Sequence, residues 1–339
     1  MKKGGNLTRK DIAEAAGVSP STVSRALSGS KLLPQSTIDH VREIASRMGY
    51  RPNVLARRLA TNKSFQLGYV MPLSVPLKGA FRVAYFSNIL DSMVATAHPK
   101  GYNVTIQPLE SDETLAVDKL EALIDSRQMD GLVLVGLKQN SGIPAALAER
   151  NMPFVVVGSY VDKNYASSVN FDSSGGIKDM LALLKERSRR RLFFVHGNLD
   201  YYDAAAQKET LLESVKNTGL EFEMVKGTYS RSSGYRAAQN IIPGMREGDC
   251  VFLANDRMAM GFYRFCYENG VKIPNDIGVI GCDDDDSSGA LFPDLTTIRQ
   301  PRAEMGAAAV KLLLKRLEGD AENFESVFIK GSFIKRDSV

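Results

Sequence analysis

LTRKDIAEAAGVSPSTVSRAL, residues 7–27, reads as two short helices joined by a tight turn. Thr8 is placed to cap a first helix that runs through Ala16, its hydroxyl meeting a first-turn N–H that has no partner in the helix. Ile12, Ala13 and Ala16 recur at helical spacing and predict an inward face. Gly17 supplies the left-handed backbone that stops the helix. Ser19 then caps a second helix with Pro20 at its first position, where the missing N–H costs nothing. Val23 and Leu27 face inward, and Ser21, Thr22, Ser24, Arg25 and Ser28 are left for other faces. Two helices at this spacing place the second in a DNA major groove. There Arg25 can donate two hydrogen bonds to the O6 and N7 of a guanine.

The pattern continues beyond this pair. A third helix is expected over 36–48, with Ile38, Val41, Ile44 and Ala45 as its buried stripe. Gly49 ends it, and Tyr50-Arg51-Pro52 breaks the helical path. RPNVLARRLA, residues 51–60, is too short to hold a helix alone. Two copies meeting on DNA could fold it, with Leu59 as an apolar wedge in the minor groove. Within residues 1–63, twelve lysines and arginines face four acids, a net of +8, whereas the whole chain carries +4. A basic head on a body of net −4 is an electrostatic footprint for phosphate.

Bulk properties exclude other classes. The 339 residues suffice for a small head and a body of one or two lobes. No stretch approaches the ~20 apolar residues of a membrane span. MKKGGNLTRKDIAEA has lysines but no apolar run behind them, so no secretion signal is expected. Cys250, Cys266 and Cys282 are odd in number and lack metal-ligand spacing, and His40, His98 and His196 are scattered. Reduced thiols in the cytoplasm, no metal and no cofactor are the expectation. There is no phosphate-binding loop, no GxSxG and no histidine-centred triad, so no enzyme is expected.

After Lys63 apolar runs alternate with helical patterns: FQLGYVMPL, YNVTIQPL, DGLVLVGL and PFVVVGSY. The rhythm restarts at RRLFFVHGN and continues through FEMVKGTY, DCVFLAND and IGVIGCDD. This predicts two parallel-sheet α/β lobes. SSVNFDSSGG (167–176) is the expected crossing between them and TTIRQP (296–301) the return, followed by a helix and the strand pair SVFIKGSFIKR. Ligands bind in such folds at the carboxyl ends of the strands. The run Asp283–Asp286 is read as solvated loop charge plus one ligand-binding aspartate, and RSRRR (187–191) as an exposed turn. SSGG (173–176) reads equally as a helix cap and as a phosphate cradle.

Four segments in this order, DIAEAAGVSPSTVSRAL, GYRPNVLARRLA, ANDRMAMG and VKIPNDIGVIGCDD…LTTIRQP, make the chain similar to the lactose-repressor (LacI/GalR) family of bacterial transcription regulators. The resemblance covers essentially the whole length. It implies an all-α helix-turn-helix head (1–50), a hinge helix (51–65) and a periplasmic-binding-protein-like body (66–339). The body would comprise lobe one (66–167 and 300–323) and lobe two (168–299 and 324–339), serving effector binding and dimerisation. It implies a homodimer or a dimer of dimers that reads a pseudo-palindromic double-stranded operator. A small molecule between the lobes, a sugar or sugar derivative, would shift DNA affinity. The expected role is a repressor of carbohydrate uptake or catabolism genes. The alternatives are a regulator that answers to a non-sugar metabolite or co-repressor, and a sugar-binding transport protein, against which the head argues.

By position, the resemblance assigns DNA contacts to Arg9, Lys10, Ser19, Pro20, Ser21, Ser24 and Arg25, and hinge contacts to Asn53, Ala56, Arg57 and Leu59. In the cleft it assigns Tyr85 and Phe86 as aromatics over the ligand, Tyr229 as a second wall, and Asn255 and Asp283 as polar groups. Gln207 stands where the family usually has arginine, which argues against a gripped anion. The loop PLSVPLKGAFRVAYFS is longer than usual, and Pro34 replaces a usual capping serine. Pro20 replaces a side chain that relatives use to read bases, which shifts direct readout to Arg25.

Overall fold

The computed structural model describes residues 7–27, 32–50, 58, 61–72, 84–161, 165–319 and 323–339. The chain divides into two compact units, 1–64 and 65–339. In the first, α1 (Arg9–Ala16) starts with a reciprocal cap: the Asp11 N–H donates to the Thr8 hydroxyl while Asp11 accepts from the Thr8 N–H at 2.7 Å. Gly17 at φ 65 ends it, and Val18 N–H donates back to the Ala13 carbonyl. Helix α2 (Pro20–Leu27) is capped by Ser19, whose hydroxyl accepts from Thr22 N–H at 3.1 Å. Helix α3 (Gln35–Arg47) begins at Pro34 with no side-chain cap. Ile12, Ala13, Ala16, Val23, Ala26, Ile38, Val41, Ile44 and Ala45 form one buried core, with Leu27 packed against it. The expected inward stripe of all three helices is present, and Ala26 joins it.

The second unit contains two six-stranded sheets among the described residues. The first lobe runs β1 (Gln66–Pro72), α4 (Ala84–Ala97), β2 (Asn103–Leu109), α5 (Glu113–Asp125), β3 (Gly131–Val135), α6 (Ile143–Glu149), β4 (Phe154–Val157) and β5 (Ser167–Asp172). The second runs α7 (Ser174–Glu186), β6 (Arg191–His196), α8 (Tyr202–Val215), β7 (Glu221–Lys226), α9 (Arg231–Ile241), β8 (Asp249–Leu253), α10 (Asp256–Glu268), β9 (Gly278–Asp283) and β10 (Thr296–Arg299). Then α11 (Arg302–Leu317) and β11 (Ser326–Lys330) return to the first lobe, and β12 (Ser332–Ile334) to the second. The sheet orders are β11-β5-β4-β3-β1-β2 and β12-β10-β9-β8-β6-β7. All pairings are parallel except β10 with β12.

Strand pairing moves two expected lobe boundaries. Ser167–Asp172 pairs with β4 and Ser326–Lys330 pairs with β5, so both belong to the first sheet. The chain therefore crosses after Asp172, after Arg299 and after Lys330, rather than at 167/168 and 323/324. Alternation alone carries no signal for which sheet an edge strand joins. The central strands are buried along their length, as parallel strands covered by helices on both faces must be. β7 is a half-exposed edge strand.

Candidate nucleic-acid interface and ligand cleft

The head presents one polar face. Arg9 from α1 and Pro20, Ser21, Ser24 and Arg25 from α2 line an open depression of about 450 Å³. Arg9 donates to the Ser24 hydroxyl at 3.4 Å, which ties the first helix to the second across this face. Ser19 and Ser21 bridge hydroxyls at 2.7 Å, so the cap also orients a side chain that points outward. Lys10, Ser19, Pro20, Ser21 and Arg25 are exposed, while Val23 and Ala26, between them in sequence, are buried. A helix with its cap, a serine pair and an arginine on one side has the donors that base edges and phosphates accept. Asn53, Ala56, Arg57 and Leu59, the expected hinge contacts, lie outside the described residues.

The lobes of the body meet at the carboxyl ends of their strands. Lys138 and Tyr201 form an antiparallel bridge between the segments that follow β3 and β6. Gln139 N–H donates to the Asp200 carbonyl, and its side-chain amide to the Leu199 carbonyl, both at 2.8 Å. Tyr160 from lobe one stacks on Tyr202 from lobe two with centroids 5.9 Å apart.

Inside, Tyr85 and Phe86 at the start of α4 meet edge to face at 5.2 Å. The Tyr69 hydroxyl donates to the Phe86 carbonyl at 2.9 Å and fixes that turn to the sheet. The Tyr85 hydroxyl lies against Gly158, beyond β4, and the Tyr229 ring lies against Gly197, beyond β6. A methyl group at either glycine would occupy the tyrosine's place. Tyr229 at φ 58 and Asp283 at φ 136 both hold backbone that L-residues rarely adopt, the kind of strain that clusters at binding sites.

Of the six residues expected in the cleft, Tyr85 and Phe86 pack edge to face and the Tyr229 ring lies against Gly197. The other three have partners within the protein. Asn255 caps α10 by accepting from Met258 N–H at 2.9 Å, and it donates to the Tyr229 carbonyl at 3.3 Å. Gln207 is buried, with its amide 3.5 Å from the Cys282 sulfur. Asp283 pairs with Arg302 at 2.7 Å. Burial pushes the Asp283 carboxyl up, as do the Asp256 and Asp285 charges, against the pull of Arg302.

Sequence reasoning assigned no role to three residues of this region. Asp203, in the first turn of α8, reaches Tyr85 across the cleft, 3.5 Å from its hydroxyl. Burial raises its pKa to about 7, against that hydrogen bond. Asp256 is fully buried. It accepts from the hydroxyls of Ser288 and Thr297, at 2.5 and 2.7 Å, and from Asp285 N–H at 3.1 Å. Arg302, 3 % exposed, joins Asp283 and Asp285 from the start of α11. Only its place just after a crossing, within RQPR, could have marked it.

Two readings of charge runs are corrected. Of the run Asp283–Asp286, Asp286 is exposed as expected, but the other three are not solvated loop charge: Asp283 and Asp285 share Arg302, and Asp284 lies between Arg299 and Arg336 at 2.7 and 2.6 Å. Burial raises the Asp284 carboxyl, but the two guanidinium groups outweigh it and the net shift is downward. RSRRR is only partly an exposed turn. Arg191 is buried and grips both Asp249 oxygens at 2.5 and 3.1 Å, and Arg189 donates to the Pro274 carbonyl at 3.1 Å. Arg191 opens β6, where pairing with Glu221 and Asp249 buries it, and Arg189 just before the strand is half-buried. No group of three or more potential metal ligands occurs among the described residues, and no helix among them is long and apolar enough to cross a membrane.

Comparison with known proteins agrees with this geometry. Residues 8–53 match the model of bacterial regulatory proteins of the lacI family, and residues 181–339 match a periplasmic binding protein-like domain. Catabolite control protein A of Streptococcus mutans is 30% identical over 321 residues, 93% of this chain and 92% of that protein. HTH-type transcriptional repressor PurR of Klebsiella pneumoniae is 28% identical over 337 residues, 98% of this chain and 96% of that protein. The crystal structure of the Lac repressor dimer bound to operator and the anti-inducer ONPF is similar in fold. Its TM-score is 0.77 at 23% identity, over 98% of this chain and 99% of that one.

Proposed function

The chain belongs to the lacI family of bacterial regulatory proteins, a family of transcriptional regulators and not of enzymes, and from that premise we propose that it represses genes for carbohydrate uptake or breakdown. Two heads of a homodimer, or of a dimer of dimers, read a pseudo-palindromic operator. Arg9, Lys10, Ser19, Pro20, Ser21, Ser24 and Arg25 make the base and phosphate contacts, and Asn53, Ala56, Arg57 and Leu59 make the hinge contacts. A small molecule between the lobes, walled by Tyr85, Phe86 and Tyr229, changes DNA affinity by binding one lobe arrangement better than the other. The observation that carries the DNA-binding part is the face on which Arg9, Pro20, Ser21, Ser24 and Arg25 converge.

The relatives support the regulatory part. One is named a catabolite control protein and another a transcriptional repressor, and a solved relative of the same fold was captured on operator with an anti-inducer. The test is selection of source-genome fragments with the purified full-length protein. A near-palindromic motif beside transport or catabolic genes is the expected result. No enriched motif at low or physiological salt would overturn the assignment.

A further inference from the structure

Asp203 occupies an unusual position for a carboxylate. It projects from the first turn of α8 into the boundary between the lobes. One oxygen receives the 3.5 Å hydrogen bond from Tyr85. The other, Oδ1, is enclosed and has no hydrogen-bond partner among the described residues. Among the described residues the influences on its protonation are burial and that one bond, with no cation. A carboxylate taken out of water without a counter-charge is costly, and this one is retained where the lobes meet.

The surroundings are aromatic. Tyr85 and Phe86 stand on one side, and Tyr202, stacked on Tyr160, on another. Tyr229 lies within electrostatic reach of both Asp203 and Asp283. Ring faces attract cations. Among the described cations at this boundary, Arg302 is already shared by Asp283 and Asp285, and Lys138 pairs with Asp200. Gln207 adds no charge and turns its amide to Cys282. An unneutralised carboxylate among tyrosine rings is the complement of a positive group.

We propose that the cleft takes a small molecule bearing a protonated nitrogen, an ammonium or amidinium group on a ring or hydroxylated skeleton, whose N–H donates to Asp203. This rests on reading the interlobe cleft as the effector site. Pairing requires Asp203 ionised, and near neutrality the empty site holds part of a proton there. The titratable groups that face it are Tyr85 from α4, Tyr202 from α8 and Tyr229 from the turn before α9. All three have pKa values raised above 10.0 by burial first and then by Asp203, so they stay neutral. Binding therefore expels a proton from Asp203.

The experiment is titration calorimetry of the full chain at pH 7 in phosphate and in Tris, with matched probes. These are glucosamine against glucose, galactosamine against galactose, and putrescine against butanediol. Expected is one amine that binds about tenfold or more tighter than its neutral partner, with roughly half a proton released per site. Asp203→Asn is expected to erase the preference. Neutral partners that bind equally well or better would overturn the cationic ligand while leaving the effector cleft standing. No binding by any probe would overturn both. Should Asp203→Asn melt early, the proton count on the unmutated chain still decides, since amine binding with no proton release overturns the proposal.

Discussion

Arg302 and Asp283 meet at 2.7 Å across the boundary between the lobes, one at the start of α11 and the other at the end of β9. Because Asp285 shares the same guanidinium at 2.6 Å, one side chain neutralises two acids from the neighbouring lobe. Removing it leaves both half-buried carboxylates uncompensated. Arg302→Met is expected to cost about 3–5 kcal/mol of unfolding free energy in urea. Part of that loss should return as pH falls and Asp283, raised by burial, takes up a proton. A loss below about 1 kcal/mol would put this pairing in the class of surface ion pairs.

Asp203 makes stability depend on pH in a definite direction. Its folded-state pKa of about 7 lies above the value of about 3.9 expected when unfolded. Between those values the folded chain holds a proton that the unfolded chain has lost. This contribution is therefore complete below about pH 4 and lost as pH rises through about 7. Asp256 and Asp283 are shifted the same way by burial, and Asp284 the opposite way by its two arginines. Urea unfolding at pH 5 and pH 8 should show Asp203→Asn losing less stability over that interval than the unmutated chain, by about 2 kcal/mol. Equal losses in the two proteins would mean that water reaches this carboxylate in the folded state.

Arg25 is the longest donor on the exposed face of α2. Arg25→Ala is expected to weaken operator binding by about 1–3 kcal/mol and to relax one position in each half-site. Gel-shift titrations against single-base operator variants measure both effects. Unchanged discrimination at every position would assign base reading to other side chains of the head.

Leu59 tests the hinge. Leu59→Ala should weaken binding to the selected operator far more than binding to random duplex, because a wedge gains only where the central step opens. Equal losses on both duplexes, read by fluorescence anisotropy, would rule out insertion.

The head was legible in the sequence because its signals are local. Thr8, Gly17 and Ser19 act within four residues of themselves, and the inward positions follow from helical spacing alone. The strands were legible for a similar reason, since parallel strands buried on both faces appear as unbroken apolar runs. Charges in the cleft were not. Whether Asp284 faces water or two arginines depends on Arg299 and Arg336, which lie 15 and 52 residues away. Asp203 falls in a helical first turn, where an acid is ordinary, and only the approach of Gly158 and Tyr85 from the other lobe makes it unusual. The edge strand at 326–330 carries no mark of the sheet it joins, because its partner at 167–172 is remote in the chain.

That last pairing sets an order of events during synthesis. Ser168 and Ser326 lie opposite each other in the finished sheet, 158 residues apart in the chain. While the ribosome makes the second lobe, the first stands with β5 as a bare edge and without α11 over it. Its final strand is made only after β6–β10 of the second lobe. A nascent chain halted anywhere before residue 326 therefore displays an open parallel edge. Chaperone engagement or strand-to-strand association between neighbouring nascent chains would concentrate there, and loss of the last dozen residues would harm both lobes.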